Sequence, residues 1–269
     1  MNLPARLARR SGHPSRQHSG LDKIAPLAPN AWLRFDLVER MLPGGVTDVL
    51  EIGCGRGGFG ARIAGHYNYV GIEPDEQSWA VAKARLDAVG HGDVRNVSSD
   101  AMSGQQFDLI CAFEVLEHIE DDAGTLAKWC SLLRPGGWLL LSVPAHQHRF
   151  GPWDEMVGHF RRYDPDGMTQ LLADSGFTDI SVKLYGFPLG YLLEPVRDVI
   201  GKRRRAAAAT ASASYADRTS GSGRQFQPSS GVLGTAIRYG TIPFCVMQRA
   251  VPSLGTGLVV RARLTDPSQ

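Results

Sequence analysis

The sequence predicts a doubly wound α/β fold, in which parallel strands alternate with helices that cover both faces of one sheet. Strand and helix patterns alternate over residues 46–143. The apolar strand Val49–Ile52 runs directly into a glycine-rich turn at residues 53–57, and a helix pattern follows near Phe59. A Pro-Gly-Gly turn at residues 135–137 leads into a fully apolar run, which is typical of a strand buried on both faces.

The glycine-rich turn indicates a binding loop. Glycines at positions 53, 55 and 57 permit a tight turn and let a ligand approach the backbone more closely than a Cβ would allow. The acid Glu51 precedes the first glycine by two residues, so a phosphate would be repelled and a positively charged ligand favoured. The strand Tyr69–Glu73 ends on an acid about 20 residues further on, where doubly wound folds place a ribose-binding carboxylate.

The pattern Glu51-x-Gly53-x-Gly55-x-Gly57 followed by Glu73 resembles the class I S-adenosylmethionine (SAM)-dependent methyltransferases. The resemblance runs in the family's order over residues 30–185. After Glu73, the third strand and the adenine-side turn correspond to Asn96–Met102, and the fourth strand with the segment after it corresponds to Phe107–Ile119. A helix end, a turn and the fifth strand correspond to Leu132–Pro144. It implies a Rossmann-like sheet that is mostly parallel, with an antiparallel last strand at Gly257–Leu264.

The same resemblance implies SAM as the cofactor and S-adenosylhomocysteine as the second product. Glu73 then accepts hydrogen bonds from the ribose hydroxyls and Asp100 from the adenine amino group, with Met102 near the ring. Phe113 and Glu114 touch the methionine moiety and the acceptor. The complete set of predicted cofactor residues is Glu51, Gly53, Gly55, Gly57, Glu73, Pro74, Asp100, Ala101, Phe113 and Glu114.

The connection after strand five, residues 146–163, is rich in acids, imidazoles, guanidinium groups and aromatic rings, which favours a substrate loop. Its end resembles a large bacterial methyltransferase subgroup whose acceptors are mostly unassigned. We predict His159 as the general base, with a helix cap or a carbonyl partner as the alternative role. His146 and His148 are weaker candidates, and Asp154 orients an imidazole or binds the acceptor. The predicted substrate-binding residues are Trp153, Arg161, Arg162 and Tyr163.

One pair of residues has the spacing of metal ligands. Glu114 and His118 lie four residues apart, so on a helical turn their side chains would share a face. The sequence shows no further ligands for a coordination shell, and we therefore predict no metal.

The domain organisation follows from shifts in composition. Residues 1–28 form a basic tail predicted to be disordered, residues 29–186 the SAM-binding core, residues 187–255 a cap-like insertion and residues 256–269 the last strand and a C-terminal tail. In the opening helix, Trp32 and Phe35 either pack in the core or cover SAM.

The insertion combines two kinds of sequence. Residues 206–230 are rich in Ala, Ser and Gly, which predicts disorder. Residues 187–205 are apolar and end in the basic cluster Lys202–Arg205, which suits either a substrate cap or a helix on an anionic membrane surface.

Composition restricts the class of protein. The 269 residues, 43% of them hydrophobic, suit one elaborated domain. The net charge of +2 gives no support for a nucleic-acid partner. Four dispersed cysteines, together with the lack of an apolar stretch long enough to span a bilayer, predict a cytoplasmic protein, with peripheral membrane contact as the alternative. The sequence does not indicate an oligomeric state.

These observations predict a SAM-dependent methyltransferase that acts on an oxygen or nitrogen of a small-molecule acceptor. One alternative is a lipid-linked or quinone-like acceptor at the membrane, suggested by residues 187–205. Another is a non-catalytic SAM-binding regulatory protein. A nicotinamide-dependent oxidoreductase is disfavoured by the glycine spacing.

Overall fold

The structure, a computed structural model, describes residues 27–208 and 232–266. Its centre is a seven-stranded sheet of order β3-β2-β1-β4-β5-β7-β6. The strands are β1 (Asp48–Ile52), β2 (Asn68–Ile72), β3 (Asp93–Arg95), β4 (Phe107–Phe113), β5 (Leu133–Pro144), β6 (Phe177–Gly186) and β7 (Gly255–Leu264). β1 to β5 pair in parallel, and β7 lies antiparallel between β5 and β6. The predicted mostly parallel α/β sheet with an antiparallel last strand is confirmed.

Helices cover both faces of this sheet. They are α1 (Pro29–Met41), α2 (Gly60–Ile63), α3 (Glu76–Val89), α4 (Asp122–Ser131), α5 (Pro152–Val157), α6 (Pro165–Asp174), α7 (Leu189–Ala208) and α8 (Val232–Ala250). Because successive strand residues point to opposite faces, Ile110 and Leu139 join one apolar cluster while Leu109 and Leu140 join the other. The central strands are therefore apolar throughout, and polar groups collect at the strand ends.

The third strand differs from the prediction. It is only three residues long and ends at Arg95, whereas the sequence placed it in Asn96–Met102. The Asn96 side chain leaves the ladder and donates to the backbone oxygens of Glu73 (2.8 Å) and Pro74 (3.1 Å). Residues 99–102 form a 3₁₀ turn instead.

The Pro-Gly-Gly segment also differs from the prediction. It does not separate a helix from a strand but lies inside β5, which begins at Leu133. The pairing with β4 shifts register between Phe107 and Leu109, which accommodates the irregular backbone. Arg134 anchors this part of β5 through ion pairs with Asp108 (2.5 Å) and Asp48 (2.7 Å).

The insertion between β6 and β7 contributes α7 and α8. α7 packs against α5, and α8 packs against α1. α7 continues through Ala208, past the start of the predicted low-complexity segment 206–230. Residues 209–231 of the insertion and residues 1–26 of the basic tail lie outside the described residues. No helix in the described part of the chain is both long and apolar enough to cross a membrane.

Glu51 is a carboxylic acid within the sheet. It lies on β1 with 3% of its surface exposed, and the Tyr69 hydroxyl on neighbouring β2 donates to its carboxylate. Burial raises the pKa of Glu51 to about 8, against the opposing effects of the Tyr69 hydrogen bond and the Arg34 charge. Glu51 is therefore mainly protonated at neutral pH.

The raised pKa of Glu51 makes stability depend on pH. The folded pKa of about 8 lies above the ordinary value, so the folded state holds an extra proton between the two, and the free energy of unfolding falls as pH rises through this window. A Glu51→Gln variant has no carboxyl proton at this position, so its free energy of unfolding does not fall for this reason. We expect its stability to improve relative to the parent protein by up to about 1.4 kcal/mol per pH unit between about pH 5 and about pH 8.

Urea unfolding at several pH values measures this difference. Glu120→Gln, which alters an exposed acid, is the matched control and should follow the parent protein. A stability difference between Glu51→Gln and the parent that stays constant across the pH range would show that Glu51 is ionised in the folded state.

Candidate active site

The glycine-rich loop follows β1 and lies at the carboxyl ends of the parallel strands. Gly53, Gly55 and Gly57 have φ values of 65°, 54° and 70°, a region that side chains rarely adopt. A Cβ on Gly57 would lie 3.0 Å from Cα of Ala82, so this glycine allows α3 to pack closely. A Cβ on Gly55 would meet nothing within 4 Å. Gly55 therefore borders open space in which a ligand can approach the backbone.

Glu73 stands opposite this loop at the end of β2. Its two carboxylate oxygens accept hydrogen bonds from the backbone N–H of Gly55 (2.8 Å) and of Asp75 (2.9 Å). A carboxylate oxygen has capacity for a further donor, so Glu73 is both fixed in place and able to accept from hydroxyl groups. This arrangement of open glycine backbone and fixed carboxylate fits the ribose of SAM.

The remaining predicted cofactor residues are spread around this centre. Asp100 is exposed and pairs with Lys128 at 3.4 Å, and its neighbour Ala101 is also exposed, as is Pro74. Met102 is buried in the core rather than lying at the surface of the turn. Glu51 points into the core behind the loop, toward Tyr69. The proposed contacts of these residues with SAM stay predictions.

Aromatic rings connect the end of β4 with α1. Phe113 packs edge-to-face against Phe59 with ring centroids 4.5 Å apart, Phe59 contacts Phe35 at 5.8 Å, and Phe35 contacts Trp32 at 6.1 Å. Because Phe59 follows the glycine-rich loop directly, this row packs α1 against the loop. Trp32 and Phe35 are thus placed beside the proposed cofactor site.

Glu114, the residue after β4, is held by three side chains that the sequence analysis did not identify. Arg34 pairs with its carboxylate at 3.2 Å, and the hydroxyls of Ser142 (2.9 Å) and Tyr185 (3.1 Å) donate to it. Burial alone would raise the pKa of Glu114, but the Arg34 charge and these hydrogen bonds outweigh it and lower the pKa. Glu114 is therefore an ionised carboxylate with φ of 58°, an uncommon backbone conformation for this residue type.

The expected shared face of Glu114 and His118 is wrong. Only residues 116–118 are helical, as a 3₁₀ turn, and the unusual backbone at Glu114 turns its side chain toward Arg34. His118 instead places Nδ1 3.2 Å from the Gly158 carbonyl oxygen and packs its ring 4.6 Å from that of His159. Burial lowers the pKa of His118 to about 4, so this imidazole is neutral at physiological pH.

His159 and Asp154, both singled out from the sequence, lie together. His159 Nδ1 lies 2.8 Å from Asp154 Oδ1. Asp154 is buried and also accepts from Arg162 Nε and from the Gly151 N–H, at 2.9 Å each. Burial would raise the pKa of Asp154, but the hydrogen bonds from His159 and Arg162 lower it. An ionised Asp154 can accept from a protonated Nδ1, which leaves Nε2 of His159 as the basic nitrogen.

The predicted substrate residues make contacts within the protein. Arg162 is buried between Asp154 and Glu194 of α7, which it contacts at 2.5 Å. Arg161 pairs with Asp122 at 2.7 Å, and the Tyr163 hydroxyl donates to the same carboxylate at 3.0 Å. The Trp153 backbone N–H donates to Asp198 of α7 at 3.3 Å. Residues 146–163, the predicted substrate loop, are called the acceptor loop below. These contacts join this loop, with α5 inside it, to α7 and to the start of α4.

His146 and His148 belong to a different group from His159. Their rings lie 5.5 Å apart, and His146 faces Asp164 at 3.9 Å. His148 and Asp164 are exposed, whereas Asp154 beside His159 is buried. Glu194, which completes the buried ion pairs, had no local signal in the sequence because it lies in an apolar run of the insertion.

Comparison with known proteins agrees with this architecture. Residues 24–182 match the methyltransferase domain family. A ubiquinone biosynthesis O-methyltransferase of Aromatoleum aromaticum is 32% identical over 145 residues, which are 52% of this chain and 62% of the relative. A probable SAM-dependent methyltransferase of Mycobacterium tuberculosis is 30% identical over 161 residues, 57% of this chain and 58% of the relative. The chain thus spans less than two thirds of the length of these relatives.

A solved structure supports the fold. The Haemonchus contortus phosphoethanolamine N-methyltransferase 2 in complex with SAM superposes with a TM-score of 0.54 at 18% identity, covering 90% of this chain and 54% of that one. Three observations support the same family. The family model matches more than half of the chain, the sheet has the order given above, and the glycine-rich loop faces Glu73. The chain belongs to the methyltransferase domain family, within the class I SAM-dependent superfamily.

Proposed function

We propose that this protein transfers a methyl group from SAM to an oxygen or nitrogen of a small-molecule acceptor. The observation that carries the proposal is the fixed carboxylate of Glu73 opposite the open backbone of Gly55, an arrangement that suits the ribose hydroxyls of a bound SAM. The relatives named O-methyltransferases favour oxygen as the acceptor atom. The glycine spacing argues against a dinucleotide cofactor, whereas Glu51, mainly protonated and turned into the core, contributes no charge to that choice.

Methyl transfer needs positioning and, for a hydroxyl acceptor, removal of a proton. Bound SAM would supply an electrophilic methyl carbon: as the acceptor's lone pair forms a bond to that carbon in line, the C–S bond would break and S-adenosylhomocysteine would leave as a neutral thioether. Glu73 orients the ribose, and the row of rings from Phe113 to Trp32 excludes water beside the loop. His159 takes the acceptor's proton at Nε2, while Asp154 holds Nδ1 and stabilises the resulting imidazolium.

Calorimetric titration with SAM, S-adenosylhomocysteine and NAD tests the cofactor assignment. We expect SAM and S-adenosylhomocysteine to bind and NAD not to bind. Glu73→Ala should weaken binding by more than about tenfold, because hydrogen bonds to a charged partner contribute about 1.5–3 kcal/mol. Gly55→Val should abolish binding, since its side chain enters the open space and its φ of 54° is strained.

Glu76→Gln, which alters an exposed acid on α3, is the matched control for Glu73→Ala and should bind SAM as the parent protein does. Binding of NAD in place of SAM would overturn the cofactor assignment. SAM binding without methyl transfer to any acceptor would instead favour the non-catalytic regulatory protein.

The acceptor side is tested by His159→Asn and Asp154→Asn. Because general-base catalysis contributes about 10²–10⁴-fold, we expect His159→Asn to lower kcat by that factor with little change in SAM affinity. Asp154→Asn should lower kcat as well, since it loses the charge that orients His159. His148→Ala changes the exposed histidine beside His146 and tests this weaker candidate for the base. A loss with His148→Ala and none with His159→Asn would reverse the assignment of the base.

An acceptor at a membrane surface is a second candidate, favoured by the orientation of α7. Leu192, Val196 and Val199, spaced four and three residues apart, are 65%, 55% and 49% exposed. The polar residues Glu194 and Asp198 of the same helix face inward instead.

The exposed apolar stripe is followed by a basic end, which consists of the exposed residues Lys202, Arg203 and Arg204. An outward apolar stripe with a basic end suits an anionic bilayer surface. The relatives named for ubiquinone biosynthesis accord with a quinone-like acceptor.

Sedimentation with anionic and with neutral vesicles tests this candidate. We expect binding to anionic vesicles that a triple variant, Leu192→Ser with Val196→Ser and Val199→Ser, abolishes and that Lys202→Ser weakens. The triple variant leaves Glu194 and Asp198 in place, so the ion pair and the hydrogen bond that connect α7 with the acceptor loop are retained. Ile242→Ser on α8 is a control for exposed apolar residues elsewhere. Equal binding to neutral vesicles, or none to anionic ones, would contradict the membrane candidate.

A further inference from the structure

Beneath the acceptor loop, three side chains from two separate parts of the chain converge. Glu117 and His118 come from the 3₁₀ turn after β4, and His159 comes from the connection after α5. One ligand atom from each, a carboxylate oxygen or a ring nitrogen, lies within 4.8 Å of the other two. His159 Nε2 is 3.9 Å from Glu117 Oε1. Glu114, the acid that the sequence paired with His118, is not a member of this group.

Glu117 gives a second, independent reason to expect a ligand. Its side chain is completely buried, yet neither carboxylate oxygen accepts a hydrogen bond from another residue in the described part of the chain. Leaving a buried polar group without a hydrogen bond is costly, and more so for a charged group, which is why buried carboxylates are normally paired or bound to a metal. The side chain faces the His159 imidazole, so the unsatisfied oxygens border the cluster.

From this cluster we infer a binding site for a divalent transition-metal ion of the Zn²⁺ or Co²⁺ type, held by Glu117, His118 and His159. Two imidazoles and one carboxylate are a donor set for such ions, whereas Mg²⁺ and Ca²⁺ prefer oxygen ligands. Ligand atoms bound to one tetrahedral Zn²⁺ lie about 3.4 Å apart, so the Glu117–His159 pair needs to close by only about 0.5 Å. Three protein ligands leave a coordination position for an acceptor oxygen.

The surroundings of both histidines support this assignment. Histidine ligands commonly donate their second ring nitrogen to a carboxylate or a carbonyl, which fixes the ring and the tautomer. His159 Nδ1 lies against Asp154, and His118 Nδ1 lies against the Gly158 carbonyl oxygen. Asp154 is itself fixed by Arg162. The two rings are thus oriented before any ion arrives.

The chemical role of the ion deepens the proposed function and rests on it, whereas the binding itself does not. A bound dication would lower the pKa of a coordinated hydroxyl, so an oxygen acceptor would release its proton to bulk water on binding and be held for in-line attack. The base role of His159 Nε2 then belongs to the ion-free protein, because the same lone pair binds the ion. The imidazole base in the ion-free protein and the bound ion in the loaded protein would each deprotonate the acceptor's hydroxyl at the same place.

The test is a titration of the chelator-treated full chain with Co²⁺, monitored by visible absorption and by calorimetry. Zn²⁺ is then added to displace the bound Co²⁺. We expect one Co²⁺ per chain and a visible spectrum that Zn²⁺ abolishes. Glu117→Gln and His118→Ala should each lose binding, and Asp154→Asn should weaken it about 10–100-fold through His159. His148→Ala, in the second group of possible ligands formed by His146, His148 and Asp164, should bind as the parent protein does.

Binding that survives Glu117→Gln, or that His148→Ala removes, would place the ion elsewhere and overturn the inference, as would no binding at all. A parallel SAM titration of every variant checks that each is folded. Because SAM binding is measured separately, failure to bind Co²⁺ with SAM affinity intact contradicts only the metal site. Co²⁺ binding without SAM binding contradicts only the methyltransferase proposal.

Discussion

The buried carboxylate of Asp154 is the interaction on which the acceptor side depends. It accepts hydrogen bonds from the Gly151 N–H at the start of α5 and from Arg162, and it orients His159. Arg162 continues the network to Glu194 on α7. One carboxylate thus connects the predicted base, the acceptor loop and the insertion. Removing one partner of a buried ion pair costs about 3–5 kcal/mol, because the remaining charge stays buried. The position of α7 and the orientation of His159 are therefore set together.

This coupling explains why α7 turns the polar residues Glu194 and Asp198 inward. In an ordinary surface helix the apolar residues face the core, and here Glu194 and Asp198 do so, which leaves Leu192, Val196 and Val199 exposed. The ion pairs with the acceptor loop fix the rotation of the helix. The exposed apolar stripe is then a consequence of how the site is built, and it is also the surface that a bilayer would contact.

The sequence predicted the fold and the identity of the cofactor because both depend on local patterns. A strand, a glycine turn and an acid at a fixed spacing are visible in the sequence itself. Asp154, which the sequence offered as a residue that orients an imidazole or binds the acceptor, lies only five residues from His159, so one short segment brought both to attention. The contacts that hold Glu114 were not predictable in this way. Arg34, Ser142 and Tyr185 come from α1, β5 and β6, and only the closed sheet brings them together. Likewise, the backbone conformation at Glu114 separates it from His118, which helical spacing had suggested as its neighbour.

Three acids close to one another in the site illustrate how environment decides chemistry. Glu114 faces the Arg34 guanidinium and Asp154 faces Arg162, and in each case the opposite charge holds the pKa below its usual range. Glu117, three residues from Glu114, makes no ion pair with an arginine among the described residues. Burial and the Glu114 charge raise its pKa well above the ordinary value, and the Arg34 charge opposes them only in part. Burial acts on all three carboxylates, and the neighbouring charges and hydrogen bonds of each decide the direction in which its pKa moves. Two negative charges are thereby fixed for structure, and the third carboxylate, which accepts no hydrogen bond from another described residue, lies beside the two histidines.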